Sequence, residues 1–111
     1  MLGEAALHYE VGGARVLMRQ IQWLAELAEL PHMRLRVFPF TSGITEALNW
    51  PFTLLDIPSP RSRLAYVETL SGADYIKATK PYVDVFESTW SLATDEDESR
   101  AILERRILEL S

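Results

Sequence analysis

The stretch ARVLMRQIQWLAELAELPHMRLRVFPF, residues 14–40, decides the fold. From Ala14 to Leu30 the polar residues Arg15, Arg19, Gln22, Glu26 and Glu29 fall at steps of four and three. They therefore share one stripe of a helix, while Val16, Leu17, Ile21, Trp23, Leu24, Leu27 and Leu30 fill the rest. Pro31 blocks continuation of the helix. An alternating strand follows, Leu35-Arg36-Val37-Phe38, with Met33, Leu35 and Val37 pointing one way and Arg34, Arg36 and Phe38 the other. Pro39 ends this strand or leaves it at a sheet edge. A lone strand with one apolar face is not stable, and a helix that returns directly into a strand packs beside it. The helix is therefore expected to lie on a sheet begun by this strand.

On the amino-terminal side, Glu4 to Leu7 reads as a helical turn and His8 to Val11 as a short strand, closed by Gly12-Gly13. On the other side, Thr41 to Pro51 reads as a loop, with Ser42-Gly43 as a turn and Asn49-Trp50-Pro51 as its extended exit. Three strands are expected next. They are Phe52 to Ile57, stopped by Pro58-Ser59-Pro60, then Arg63 to Leu70, then Ala73 to Ala78 after a hairpin turn at Ser71-Gly72. In the middle one Leu64, Tyr66, Glu68 and Leu70 share a face. The last third is helical. Thr79 caps a helix with Pro81 in its first turn and Val83, Phe86 and Trp90 on one side. Thr94 caps a final helix whose first turn carries Asp95, Glu96, Asp97 and Glu98 at its positive end. Leu103, Ile107 and Leu110 line its buried side, and Arg100 with Glu104 and Arg105 with Glu109 are four apart on the wet side.

The expected fold is α+β: a mostly antiparallel sheet of four or five strands, packed by the one long helix and closed by two carboxy-terminal helices. At 111 residues it forms a single domain, 1–111. No apolar run approaches the length of a membrane helix, so no membrane partner is expected. The first residues do not form a secretory signal and the chain has no cysteine, which together point to the cytoplasm and exclude disulfide and thiolate chemistry. A net charge of -5, with the basic residues scattered, argues against direct contact with nucleic acid. The exception, Arg34 and Arg36 on one strand face, is expected to be solvated surface or protection of a sheet edge.

No reaction is specified by any one motif. His8 and His32 lack a second ligand at metal spacing, so no metal is expected. Gly12-Gly13 lacks the dinucleotide fingerprint, and there is no Gly-x-Ser-x-Gly elbow; no cofactor is expected either. Glu68 is the most informative polar residue. It sits mid-strand beside Tyr66, and a carboxylate that faces a core must be paired, protonated or next to a cavity, whereas on the opposite face it simply meets water. Trp50 and Phe52 from the loop exit, with Tyr75 and Asp74 past the hairpin, extend the same rim. Trp50, Phe52, Tyr66, Glu68 and Tyr75 are thus the candidate ligand-binding residues. If the protein is an enzyme, Glu68 is the acid or base, with Tyr66, Asp74 and His8 assisting.

A series of motifs carries a family resemblance: Glu4-Ala5-Ala6-Leu7, Val11-Gly12-Gly13, Met18-Arg19-Gln20-Ile21, Val37-Phe38-Pro39-Phe40 with Gly43, Phe52-Thr53-Leu54, and Tyr66-Val67-Glu68-Thr69. In this order, over most of the chain, they resemble the domain of unknown function that follows the helix-turn-helix in actinobacterial Xre-type transcriptional regulators. The resemblance implies a regulatory domain that senses a ligand or holds a small partner protein, with no established catalytic residues. The DNA-binding helices of such regulators, and their Pro-Gly-Leu-Leu-Gln-Thr segment, do not occur in the sequence, so operator binding is not carried over. The chain is then an excised domain, a standalone partner of full-length regulators, or a copy diverted to a natural product. The leading expectation is a non-DNA-binding regulatory domain that binds a small hydrophobic effector or a small partner protein and pairs as a homodimer, since a fragment exposes apolar surface where its missing half belongs. The alternatives are a small standalone enzyme converting a hydrophobic metabolite by acid-base chemistry, and a pure protein-interaction module for a related regulator.

Overall fold

The computed structural model of the chain describes residues 1–43 and 46–111. The elements in order are β1 (Leu2–Gly3), a 3-10 turn (Glu4–Leu7), α1 (Ala14–Leu27), β2 (Val37–Phe38), a second 3-10 turn (Phe40–Ser42), the single-turn α2 (Glu46–Asn49), β3 (Thr53–Pro58), β4 (Arg61–Thr69), β5 (Gly72–Ile76), α3 (Lys80–Leu92) and α4 (Glu96–Leu110). They divide into two compact units, Met1–Gly43 with Leu92–Ser111, and Ile44–Ser91.

The first unit is built on α1 and α4. Leu17 and Ile21 of α1 are buried with Leu7, Val37, Ile102 and Leu103, and Leu2, Leu24, Ala25, Leu35, Ile107 and Leu110 pack around them. Of the seven apolar residues expected to fill the helix outside its polar stripe, Leu17, Ile21 and Leu24 make the core face, whereas Val16 and Trp23 stay more than half exposed. The helix starts where expected, at Gly12-Gly13. Gly12 has a φ of +82°, which L side chains avoid, and a β-carbon there would also press on Val16 at 3.4 Å. It ends at Leu27 rather than Leu30, because Glu29, Leu30 and Met33 donate instead to carbonyls three residues back, unwinding the chain into turns on either side of Pro31.

The sheet differs from the expectation. β1 and β2 form a two-stranded parallel pair, Leu2 beside Val37 and Gly3 beside Phe38, and the three-stranded antiparallel sheet β3-β4-β5 belongs to the other unit. The strand expected at His8–Val11 is a turn: the His8 amide donates to Ala5 and that of Gly13 to Glu10. With the first strand at Leu2–Gly3 and a helix between it and the next, the connection is a crossover, and crossovers join parallel strands. There is accordingly no single sheet of four or five strands under α1 among the described residues. α1 is seated on α4 and Val37. The two carboxy-terminal helices are present as expected.

Short as it is, β2 is hydrogen-bonded on both edges. Leu2 donates to the carbonyl of Arg36 at 2.9 Å on one side. On the other, the Val37 amide donates to Ser99 Oγ (2.9 Å), while the Thr94 amide and Thr94 Oγ1 both donate to the Val37 carbonyl at 3.0 Å. The two hydroxyls lie 2.7 Å apart and either can donate to the other; the Ser99 hydroxyl also reaches the Thr94 carbonyl at 3.3 Å. The bonds close a ring from Val37 through Ser99 and Thr94 back to Val37. Asp95, not Thr94, is consequently the cap of α4, accepting from the Glu98 amide at 2.8 Å.

Arg34 and Arg36 are not a bare surface pair. Both reach Glu96, at 2.8 and 3.1 Å. Hydrogen bonds from Arg34, from its own backbone amide and from Arg36 hold the Glu96 carboxyl down at about 2. The pairs expected within α4 are replaced: Arg100 reaches out of the helix to Glu29 at 2.9 Å, and Glu109 is taken within it by Arg106, whose Nε also donates to the Leu7 carbonyl at 2.9 Å.

In the second unit Thr53 pairs with Tyr66 and Tyr66 with Tyr75, giving the expected meander. The β4–β5 turn falls at Leu70-Ser71, one residue earlier than Ser71-Gly72, so Leu70 leaves the strand and is fully exposed. The strand bounds shift by one or two residues as well. Ala65 is fully buried and its face carries half-buried Leu54, Val67 and Ile76; Thr53, Glu68, Ala73 and Tyr75 on the other face are exposed. The expected loop Thr41–Pro51 contains the second 3-10 turn, ending at Gly43, and α2; its residues 44 and 45 lie outside the described residues. Among the described residues no helix is long and apolar enough to cross a membrane.

Ser99→Ala should strand the buried Val37 amide and cost about 1–3 kcal/mol in urea unfolding. Ser91→Ala, at an exposed hydroxyl of α3, should stay within about 0.5 kcal/mol of the parent.

Candidate functional site

Within the Ile44–Ser91 unit, two hollows share one side chain, Phe52. The first, of about 220 Å³, is apolar and is lined by Trp50, Phe52, Pro81, Tyr82 and Val85. Two chain segments build it. The segment between α2 and β3 supplies Trp50 and Phe52 on either side of Pro51, and the first turns of α3 supply Pro81, Tyr82 and Val85. Phe52 and Tyr82 meet edge to face, with centroids 5.2 Å apart and planes at 77°, an arrangement favoured by the ring quadrupoles. Trp50 is 65% exposed, so this wall is open to solvent.

The second hollow, also about 220 Å³, is lined by Pro51, Phe52, Thr53, Tyr66 and Glu68. Glu68 is exposed, which answers the question its position in the sequence raised: it lies on the wetter sheet face and needs no buried partner. The Tyr66 hydroxyl donates to its Oε1 at 3.1 Å, and the Tyr66 ring leans on Tyr75, centroids 5.3 Å apart. That hydrogen bond favours the neutral phenol, and with desolvation and the negative charge of Glu68 it pushes the Tyr66 hydroxyl above the usual tyrosine value of 10.0. A wider groove of about 690 Å³ runs along the β3–β4 turn past Asp56, Ile57, Arg61 and Arg63, with Arg63 held on Asp56 at 2.6 Å.

All five of the expected ligand-binding residues lie in this one unit, and the structure joins them through Phe52 and Tyr66. Trp50 and Phe52 flank the first hollow, Phe52, Tyr66 and Glu68 the second, and Tyr75 supports Tyr66. The expected catalytic set does not assemble in the same way. Asp74 pairs with Val67 on the opposite sheet face, and His8 belongs to the other unit, where its ring lies 5.6 Å from that of Phe40. Acid-base chemistry at Glu68 is left with Tyr66 as its neighbour. Tyr82 and Val85 were not singled out in the sequence. Their signal is the spacing 82, 85, 89 on α3, a stripe one residue behind the 83, 86, 90 stripe, on which Phe86 and Trp90 stack at 5.7 Å. Among the described residues, no three His, Asp or Glu side chains gather as a metal site would require.

Residues 1–105 match the model of a family described as a domain of unknown function, DUF5753. The chain belongs to the DUF5753 family. The match runs through both compact units. No curated protein and no solved structure matches the chain.

Glu68→Gln keeps an acceptor for the Tyr66 hydroxyl but removes the charge. The Tyr66 titration, followed by carbon NMR of the ring, should move down toward that of an ordinary tyrosine, and an unchanged midpoint would show that Glu68 does not act on it.

Proposed function

We propose that this DUF5753 domain is a non-DNA-binding regulatory module that binds a small apolar effector at the Trp50–Phe52–Tyr82 hollow. The observation that carries the reading is the hollow itself: three aromatic side chains with Pro81 and Val85, open on the Trp50 side. Small-molecule sites are concave, mostly apolar, and have few polar groups placed to orient the ligand. Here Glu68 and Tyr66, in the hollow on the other side of Phe52, are those groups. A regulatory role in an Xre-type protein, as against a catalytic one, is supported by the ordered series of motifs from Glu4 to Thr69 and by the separation of Glu68 from Asp74 and His8.

Indole is a suitable neutral probe. Its binding should raise the melting temperature with a dependence on concentration, by an amount corresponding to about 2.7 kcal/mol at a hundredfold excess over its Kd. Trp50→Ala and Tyr82→Ala should fold and lose most of that rise. No rise in the parent protein, or an equal rise in both variants, would overturn the assignment of the hollow.

A further inference from the structure

We propose that the effector is an organic cation: an aromatic or alkyl body seated in the Trp50–Phe52–Tyr82 hollow, with an ammonium group directed to Glu68. This inference rests on the effector-binding reading and adds the charge of the ligand to it.

Three observations carry the sign of the charge. First, the nine described residues that line the two hollows are Trp50, Pro51, Phe52, Thr53, Tyr66, Glu68, Pro81, Tyr82 and Val85; they include one anion and no cation. The basic side chains closest in sequence are engaged or distant. Lys80, next to Pro81, is held by Asp84 at 2.7 Å; Arg63 is held by Asp56; and Lys77 follows β5 at the end of the sheet away from Glu68, which pairs with Ala73. Among the described residues that line the walls, none would neutralise a carboxylate or phosphate ligand.

Second, Glu68 is a carboxylate with capacity left. Among the described residues Tyr66 is its hydrogen-bond donor, and it donates to Oε1 alone. An ionised carboxylate accepts several hydrogen bonds, so Oε2 and the remaining lone pair of Oε1 can take an ammonium group. The Tyr66–Tyr75 ring contact and the Tyr66 hydroxyl fix the position of that carboxylate in the second hollow, which shares Phe52 with the first.

Third, the apolar walls favour a positive charge too. The faces of Trp, Tyr and Phe rings are negative, and a cation within about 6 Å of a ring centroid is attracted to them. Trp50, Phe52 and Tyr82 line one hollow of about 220 Å³, room enough for a ring or a short chain. The net charge of -5 draws cations toward the molecule as a whole.

The test uses three probes with one ring system: tryptamine, positive at neutral pH; indole, neutral; and indole-3-propionate, negative. Titration of the full chain by calorimetry at low salt should rank tryptamine above indole and indole above the propionate. The step from indole to tryptamine should be about two- to fivefold, the range of a solvent-exposed ion pair, and it should shrink as salt rises. Glu68→Gln should remove most of that step, whereas Trp50→Ala should weaken all three. If indole binds but tryptamine has no advantage, or keeps its full advantage in Glu68→Gln, the cation assignment fails while the hollow stands as an apolar site. If none of the three binds, the hollow fails as an effector site and the cation assignment falls with it.

Discussion

The peptide of Val37 is the constraint on which the helical unit depends. This residue has no exposed surface, so its amide and carbonyl must be paired inside the protein. A strand of two residues offers only one neighbour strand for the purpose. The second neighbour is supplied by side chains, Ser99 to the amide and Thr94 to the carbonyl, with the two hydroxyls in contact at 2.7 Å. The consequence reaches well beyond Val37. Anchoring Thr94 and Ser99 sets the start of α4, which brings Ile102 and Leu103 against Leu17 and Ile21 of α1 and sets Glu96 between Arg34 and Arg36. The hydroxyls that look like ordinary polar residues near a helix cap are part of the core.

How much of this could be read from the sequence depends on how local the determinant was. The 3.6-residue period of α1, the glycine pair before it, the hairpin around residue 71 and the acid-rich start of α4 are local signals, and each corresponds to an element whose bounds lie within three residues of those expected. What α1 packs on is not local. An apolar stripe specifies that it must be covered but not by what, and a helix passing into a strand suggested a sheet where the actual partner is α4, from the far end of the chain. Likewise, Val37 and Phe38 alternate like the start of a longer strand, although side chains some sixty residues away complete their hydrogen bonding.

At the site the aromatic and acidic residues of a single segment were legible, and those contributed by a second segment were not. Trp50, Phe52, Tyr66 and Glu68 stand out because large aromatics next to a mid-strand carboxylate are unusual. Tyr82 and Val85 look like ordinary helix-face residues until Phe52 is seen against Tyr82. The parity of a strand separates Asp74 from Glu68 by a simple rule: Asp74 faces Val67 and Ala73 faces Glu68, so Asp74 lies on the face away from Glu68. His8 could not be placed by any such rule, because its backbone is a turn in the other unit. Fold and site are connected in a limited sense. The sheet unit holds the hollow by its own hairpins and α3, and the helical unit is held by the Val37 ring.

Amide hydrogen exchange at Val37, read residue by residue by NMR, tests that ring most directly. If Ser99 and Thr94 lock the strand into the core, the Val37 amide exchanges only with the global opening that also exposes the amides of Ile21 and Leu103. Exchange at Val37 orders of magnitude faster than at those two helical positions, with the protein otherwise folded, would contradict the ring and the packing of α4 derived from it.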